Sequence, residues 1–252
     1  MIWDLGCAYG QNVNYYLRKS EQVLVVDARL DQIEKVRTTF ANAISTGRLI
    51  AIHGCLTADP GDTVTFYENP KRPWLSRIDL PDEQEAEHLR TPLDQWIPVE
   101  MPALHVSDLL DQYGTPHFVK TDLEMAEISI LTDLLSQCRP YSVSAELHDR
   151  ALFDLYAEHY EEVSLFRFWP SRTMTEGRST YDQPIYERDG SRQVYRFMYA
   201  SSGPCLDDLD DWTSDISGVE QRVIDTYGPT WERNKQPHRP WIDLHARLPK
   251  RR

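Results

Sequence analysis

An almost unbroken apolar run that ends on a carboxylate, Val23-Leu24-Val25-Val26-Asp27, constrains this chain more than any other feature. Side chains alternate between faces along a strand, so a strand apolar at every position needs cover on both sides. A parallel sheet between two layers of helices provides that cover. The flanking segments fit: Ile2–Leu5 reads as a preceding strand and residues 12–19 as a helix. Residues 30–44 carry Ile33, Val36, Phe40 and Ile44 at helical spacing, Gly47 marks the end, and residues 48–53 supply a third strand.

The alternation continues with a helix at 106–112, a fourth strand at 117–122 and a helix at 126–137 with Ile130, Leu131, Leu134 and Leu135 on its apolar face. A fifth strand at 141–146 and a helix at 150–159 follow. Two further strands, 163–169 and 194–200, have no helix between them and are expected to be antiparallel. Residues 64–67 add a small hairpin strand. The stretch 68–102 holds six prolines and no sustained period, so it is expected to be a loop or lid. After Pro204 a helix is expected at 218–227, and the rest, with Pro237 and Pro240, as an arm packed across the surface or left mobile. The expected fold is α/β: a Rossmann-like domain over 1–203, mostly parallel with an antiparallel last strand, with a lid or insert at 68–103 and an extension at 204–252.

Charge excludes some partners. Lys plus Arg number 27 against 40 Asp plus Glu, a formal net charge of −13, which repels nucleic-acid backbones and anionic bilayers. No apolar stretch approaches the roughly 18 residues of a membrane span, and MIWDLGCAYG lacks the basic and apolar regions of a signal peptide. Cys7, Cys55, Cys138 and Cys205 stand far apart without metal-ligand spacing, as expected of reduced, buried thiols in a cytoplasmic protein.

Ligands of open α/β sheets collect at the carboxyl ends of the strands, so the residues that end each strand carry the chemistry. The first strand runs into Asp4-Leu5-Gly6-Cys7-Ala8-Tyr9-Gly10-Gln11-Asn12, where Gly6 and Gly10 permit a tight turn and a close approach to a ligand. Asp27 ends the second strand seventeen residues beyond Gly10, placed to accept hydrogen bonds from both hydroxyls of a ribose. Together these point to an adenosine-type cofactor. A dinucleotide site asks for G-x-G-x-x-G, and the corresponding positions are Gly6, Ala8 and Gln11. S-adenosylmethionine has no phosphate and tolerates the looser D-x-G-x-x-x-G seen at Asp4, Gly6 and Gly10. A glycine turn with no cofactor stays open at this point.

The fourth strand leads into Lys120, Asp122, Glu124 and Glu127. In extended geometry Asp122 and Glu124 share a face, where they can orient a cofactor, hold a substrate hydroxyl or accept its proton. Glu124 and Glu127 also suit the acidic first turn of the next helix, and Lys120 suits a salt bridge to Asp122. The fifth strand ends in Glu146 and His148, and a histidine there accepts protons near neutral pH. Asp122, Glu124, Glu146 and His148 form an oxygen-rich set suited to Mg²⁺, but nothing in their spacing demands it, and no residue is assigned to a metal.

These landmarks resemble the FkbM-type S-adenosylmethionine-dependent methyltransferases. The resemblance runs through DLGCAYGQN (4–12), VVDARLDQIEKV (25–36), HGCLTADPGDTVTFYE (53–68), VSDLLDQYGTPHFVKTDLEMAEISIL (106–131) and SAELH (144–148). It covers about residues 2–168, and its most specific part is 106–131, which includes the lysine-x-aspartate-x-glutamate of Lys120, Asp122 and Glu124. There are departures: Asp27-Ala28 stands for the family's glutamate-proline, Met125 for the glycine after the motif glutamate, and Gly6-Cys7-Ala8 for a glycine-alanine pair. The resemblance implies S-adenosyl-L-methionine as cofactor, bound by Asp4, Gly6, Ala8, Gly10, Asn12 and Asp27. It implies methyl transfer to a hydroxyl of a small molecule such as a sugar or polyketide, with Asp122 or His148 as base and Glu124 orienting the acceptor. The alternatives are a non-catalytic nucleoside-ligand or partner-binding protein, or a nicotinamide-dependent oxidoreductase. Oligomeric state is not legible.

Overall fold

The computed structural model describes residues 1–169, 185–188, 191–194, 209, 212–229, 231 and 241–249. The alternation expected from the sequence is present: β1 (Ile2–Leu5), α1 (Val13–Lys19), β2 (Val23–Asp27), α2 (Leu30–Thr39), α3 (Ala41–Ser45) and β3 (Leu49–His53). The helix expected at 30–44 is broken at Phe40, whose backbone leaves the helical region at φ −112°, ψ 26°. The preceding Thr38 and Thr39 are weak helix formers, and the Thr38 hydroxyl donates back to the Glu34 carbonyl at 2.8 Å.

The insert is more ordered than the proline content suggests. β4 (Cys55–Leu56), β5 (Thr63–Glu68) and β6 (Ile97–Leu104) form a second sheet in the order β4-β6-β5, with helix α4 (Glu83–His88) between β5 and β6. The expected loop at 68–102 therefore holds most of an eight-residue strand. Pro98, Glu100 and Pro102 lie on its exposed side while Met101 is buried, an alternation that the prolines mask in the sequence.

The chain continues with α5 (Val106–Tyr113), β7 (Phe118–Thr121), α6 (Glu127–Gln137), β8 (Ser142–Glu146), α7 (Ala151–His159), β9 (Glu162–Trp169), β10 (Ile185–Arg188), β11 (Ser191–Val194), α8 (Ile216–Tyr227) and β12 (Trp241–Arg247). Among the described residues the main sheet has the order β11-β10-β9-β12-β8-β7-β1-β2-β3. β3, β2, β1, β7 and β8 are parallel, and β12 lies antiparallel between β8 and β9. Numbered along the chain, the seven strands from β3 to β9 run 3-2-1-4-5-7-6, the order of the Rossmann-like class I methyltransferase sheet.

One expectation is corrected here. Trp241–Arg247, expected within a surface arm, is an internal strand of the sheet, and with Val219 and Val223 of α8 it completes the same core. Its alternation supplies the reason, because Ile242, Leu244 and Ala246 join the core beneath α5–α8 while Asp243, His245 and Arg247 are buried on the other side. Among the described residues, 241–247 and β10 run antiparallel to the core strands, each pairing with β9. The strand expected at 194–200 lies outside the described residues apart from Val194, which ends β11.

Period-two alternation fills both faces. Trp3, Leu5, Leu24, Val26, Val119 and Val143 pack under Ile130, Leu131 and Leu134 of α6, and Ile2, Val23, Val25, Leu49 and Phe118 pack under α1 and α2. Among the described residues, no helix is long and apolar enough to cross a membrane.

Candidate active site

The carboxyl edge of β1, β2, β7 and β8 gathers the residues singled out above. At the end of β1 the chain turns at Gly6, with φ +83°. A Cβ on Gly6 would lie 1.8 Å from the Asp122 carbonyl oxygen, so only glycine lets this turn lie against the loop after β7. Ala8 is also left-handed, at φ +47°, and its N–H donates to Asp27 Oδ2 at 2.8 Å. The Arg29 N–H donates to Oδ1 of the same carboxylate at 2.9 Å. Gly10 has φ +75°, and Asn12 is buried at the start of α1. Burial pushes the Asp27 carboxyl up to about 7, against the two backbone N–H groups that favour its ionised form.

Behind the turn sits a buried ion pair. Asp4 has no exposed surface and Lys120 is nearly as deep, with Lys120 Nζ 3.7 Å from Asp4 Oδ1 and 3.0 Å from Asp122 Oδ2. Burial disfavours the lysine's charge, but the Asp122 and Asp4 carboxylates outweigh it and hold the ammonium protonated. Burial raises Asp4 to about 6 in spite of Lys120. Lys120, expected as a salt-bridge partner, therefore holds the carboxylate of β1 and that of the loop after β7 at once.

β7 ends at Thr121, so Asp122 and Glu124 do not share a strand face as extended geometry predicted. A tight turn brings them together, with Glu124 at φ +50° and Met125 at φ +89°. Glu127 holds that turn: its Oε1 accepts from the Leu123 N–H at 2.7 Å and its Oε2 from the Met125 N–H at 3.0 Å. It is the buried first residue of α6, as the helix-start reading anticipated, and its carboxylate also fixes the loop before it. Met125 occupies a backbone conformation that favours glycine, at the one motif position where the resemblance expects glycine. Met125→Gly should therefore raise the unfolding free energy by roughly 1 kcal/mol, read as a higher thermal midpoint; an unchanged or lower midpoint would show that the side chain offsets the strain.

Carboxylate oxygens of Asp122, Glu124 and Glu146 lie within 4.8 Å of one another. His148 Nε2 is 3.3 Å from Glu146 Oε2, so the four residues proposed from the sequence share one patch. A fifth member, Asp243, was missed because its segment read as an arm. It stands directly across from Glu146, since an antiparallel strand begins at the edge where its parallel neighbours end. Asp243 is 7% exposed, its Oδ2 has no hydrogen-bond partner, and burial, then the Glu146 charge, push its carboxyl well up. The alternation in Trp241-Ile242-Asp243-Leu244-His245-Ala246-Arg247 was the available signal.

Trp96 of the insert is buried under the Arg77 guanidinium and Trp74 is exposed.

Strand order and the glycine turn define the class I methyltransferase fold. No family model and no curated protein matches the sequence. Similar solved structures include the C-terminal domain of precorrin-6Y C5,15-methyltransferase from Rhodobacter capsulatus, at 10% identity over 98% of this chain and 79% of that one, TM-score 0.43. The [4+2]-cyclase SpnF aligns at 13% identity over 98% and 75%, TM-score 0.38. The methyltransferase FkbM from Methylobacillus flagellatus KT aligns at 17% identity over 57% of this chain and 32% of that one, TM-score 0.35. Likenesses this distant carry no argument about chemistry, and folds host many reactions.

Proposed function

We propose that this chain is an S-adenosylmethionine-dependent O-methyltransferase acting on a hydroxyl of a small molecule such as a sugar, a polyketide or another secondary metabolite. The observation that supports this most is the direct contact of two half-sites: the Gly6 turn, tied to Asp27 through Ala8, packs on the Asp122 carbonyl that begins the carboxylate–histidine patch. A ligand held at Asp27 and an acceptor held at Asp122, Glu124 and His148 would then be neighbours on one edge.

The residues fit the cofactor. Each Asp27 oxygen accepts one backbone N–H and retains capacity for a ribose hydroxyl. Gly6, Ala8, Gly10 and Asn12 shape the turn over it. Asp4, without exposed surface, acts by positioning Lys120 and not by touching the ligand. When bound, S-adenosylmethionine supplies a methyl group activated by its sulfonium. His148 accepts the acceptor's hydroxyl proton, and Glu146, 3.3 Å away, stabilises the imidazolium that results. Asp122, fixed by Lys120, and Glu124 orient the hydroxyl, and positioning supplies much of the rate.

The test is transfer of labelled methyl from S-adenosylmethionine to a panel of hydroxylated acceptors. With a turned-over acceptor, His148→Gln should lower kcat on the order of 10²–10⁴-fold while S-adenosylhomocysteine affinity is kept. A fall of that size in Asp122→Asn alone would move the base to Asp122. Normal transfer by both variants would remove both assignments.

A further inference from the structure

We propose that the edge holds a hard divalent cation of the Mg²⁺, Mn²⁺ or Ca²⁺ class, bound by carboxylate oxygens of Asp122, Glu124 and Glu146 with Asp243 beside them. The inference deepens the methyl-transfer reading, because the acceptor hydroxyl would complete the cation's shell beside His148.

Three carboxylates with oxygens within 4.8 Å of one another match the spread of ligands around one oxygen-coordinated ion. Three acids close together are not a site by themselves. The independent observation is Asp243, which comes from a different part of the chain. It is more than nine-tenths buried, lies across the strand pair from Glu146, and has an oxygen without a hydrogen-bond partner. Burying an unpaired acid costs free energy unless a cation compensates it. Among the described residues, Lys120 lies 3.0 Å from Asp122 and 3.7 Å from Asp4, and His148 faces Glu146. Oxygen-only donors select hard ions, and none of the three cysteines described takes part in the cluster.

A bound ion would accept the hydroxyl oxygen as a ligand and lower that hydroxyl's pKa, easing proton removal by His148. An acceptor with adjacent hydroxyls, able to occupy two positions on the ion, would be preferred over a monohydroxy compound.

The test is Mn²⁺ binding to the chelator-treated chain, read by electron paramagnetic resonance of free Mn²⁺ and by calorimetry, without cofactor or acceptor. The wild type should bind one Mn²⁺ per chain, competed by Mg²⁺ or Ca²⁺. Glu124→Gln and Glu146→Gln should weaken binding on the order of tenfold or more, and Asp243→Asn by a smaller factor. Glu158→Gln, on the exposed face of α7, should bind as wild type does. Circular dichroism checks that each variant is folded. Absence of a stoichiometric site, or binding indifferent to Glu124 and Glu146, would overturn the proposal. Mn²⁺ binding without any affinity for S-adenosylhomocysteine would leave the cation site standing and defeat the methyl-transfer reading.

Discussion

Gly6→Ala should be the most damaging single methyl group that can be added to this protein. The new Cβ would sit 1.8 Å from the Asp122 carbonyl oxygen, in a backbone conformation at φ +83° that L-residues rarely adopt. The obstacle is backbone, not the end of a flexible side chain, so the β1 turn and the β7 loop must separate. Strain and overpacking together cost about 3–5 kcal/mol, a large share of a domain's typical net stability. Urea unfolding should show the midpoint shifted down accordingly. Gly47→Ala is the control: its φ is +70°, but a Cβ there would meet nothing within 4 Å, so it should lose only about 1 kcal/mol. Equal losses in the two variants would mean that the contact between the half-sites is not tight.

Lys120→Met should be nearly as severe, and its penalty should depend on pH. Removing one partner of a buried pair leaves a buried charge without compensation, at about 3–5 kcal/mol. The charge left behind is that of Asp4, which has no exposed surface and a carboxyl at about 6. A raised folded-state pKa means that Asp4 favours folding in its protonated form, and that this contribution is lost as pH rises through 6. At pH 5 Asp4 is protonated with or without Lys120, so the penalty should be small. At pH 8 the wild type ionises Asp4 against Lys120 and the variant cannot, so the penalty should be full. Asp4→Asn combined with Lys120→Met should recover part of the loss. A penalty independent of pH would show that Lys120 acts through Asp122 alone.

How much of this was legible in the sequence depended on where the signal lay. Val23–Val26, ahead of Asp27, announced a strand covered on both faces because all four positions are apolar, and the parallel core followed from it. The end of the chain was not legible in the same way. Trp241–Arg247 alternates apolar and polar residues, but it lies among prolines and charges, and only the sheet supplies the neighbours that bury Asp243, His245 and Arg247. Asp243 was lost with it. Strand ends pointed to Asp27, Asp122, Glu146 and His148 because a parallel sheet puts carboxyl ends on one edge. The geometry bringing Glu124 to that edge is a left-handed turn at Glu124 and Met125, held by Glu127, which no spacing rule predicts.

The central claim, an adenosine-type cofactor site at Asp27 and the Gly6–Gly10 turn, is tested most directly by calorimetric titration with S-adenosylhomocysteine, run from pH 5 to pH 8 beside NAD. The account predicts binding of the first and none of the second. Ribose hydroxyls donate to the ionised Asp27, whose carboxyl lies at about 7 in the free protein, so affinity should fall by up to about tenfold per pH unit below 7 and level off above it. Asp27→Asn should bind more weakly and flatten that profile. Absence of S-adenosylhomocysteine binding, equal binding of NAD, or an affinity indifferent to both pH and Asp27 would contradict the claim.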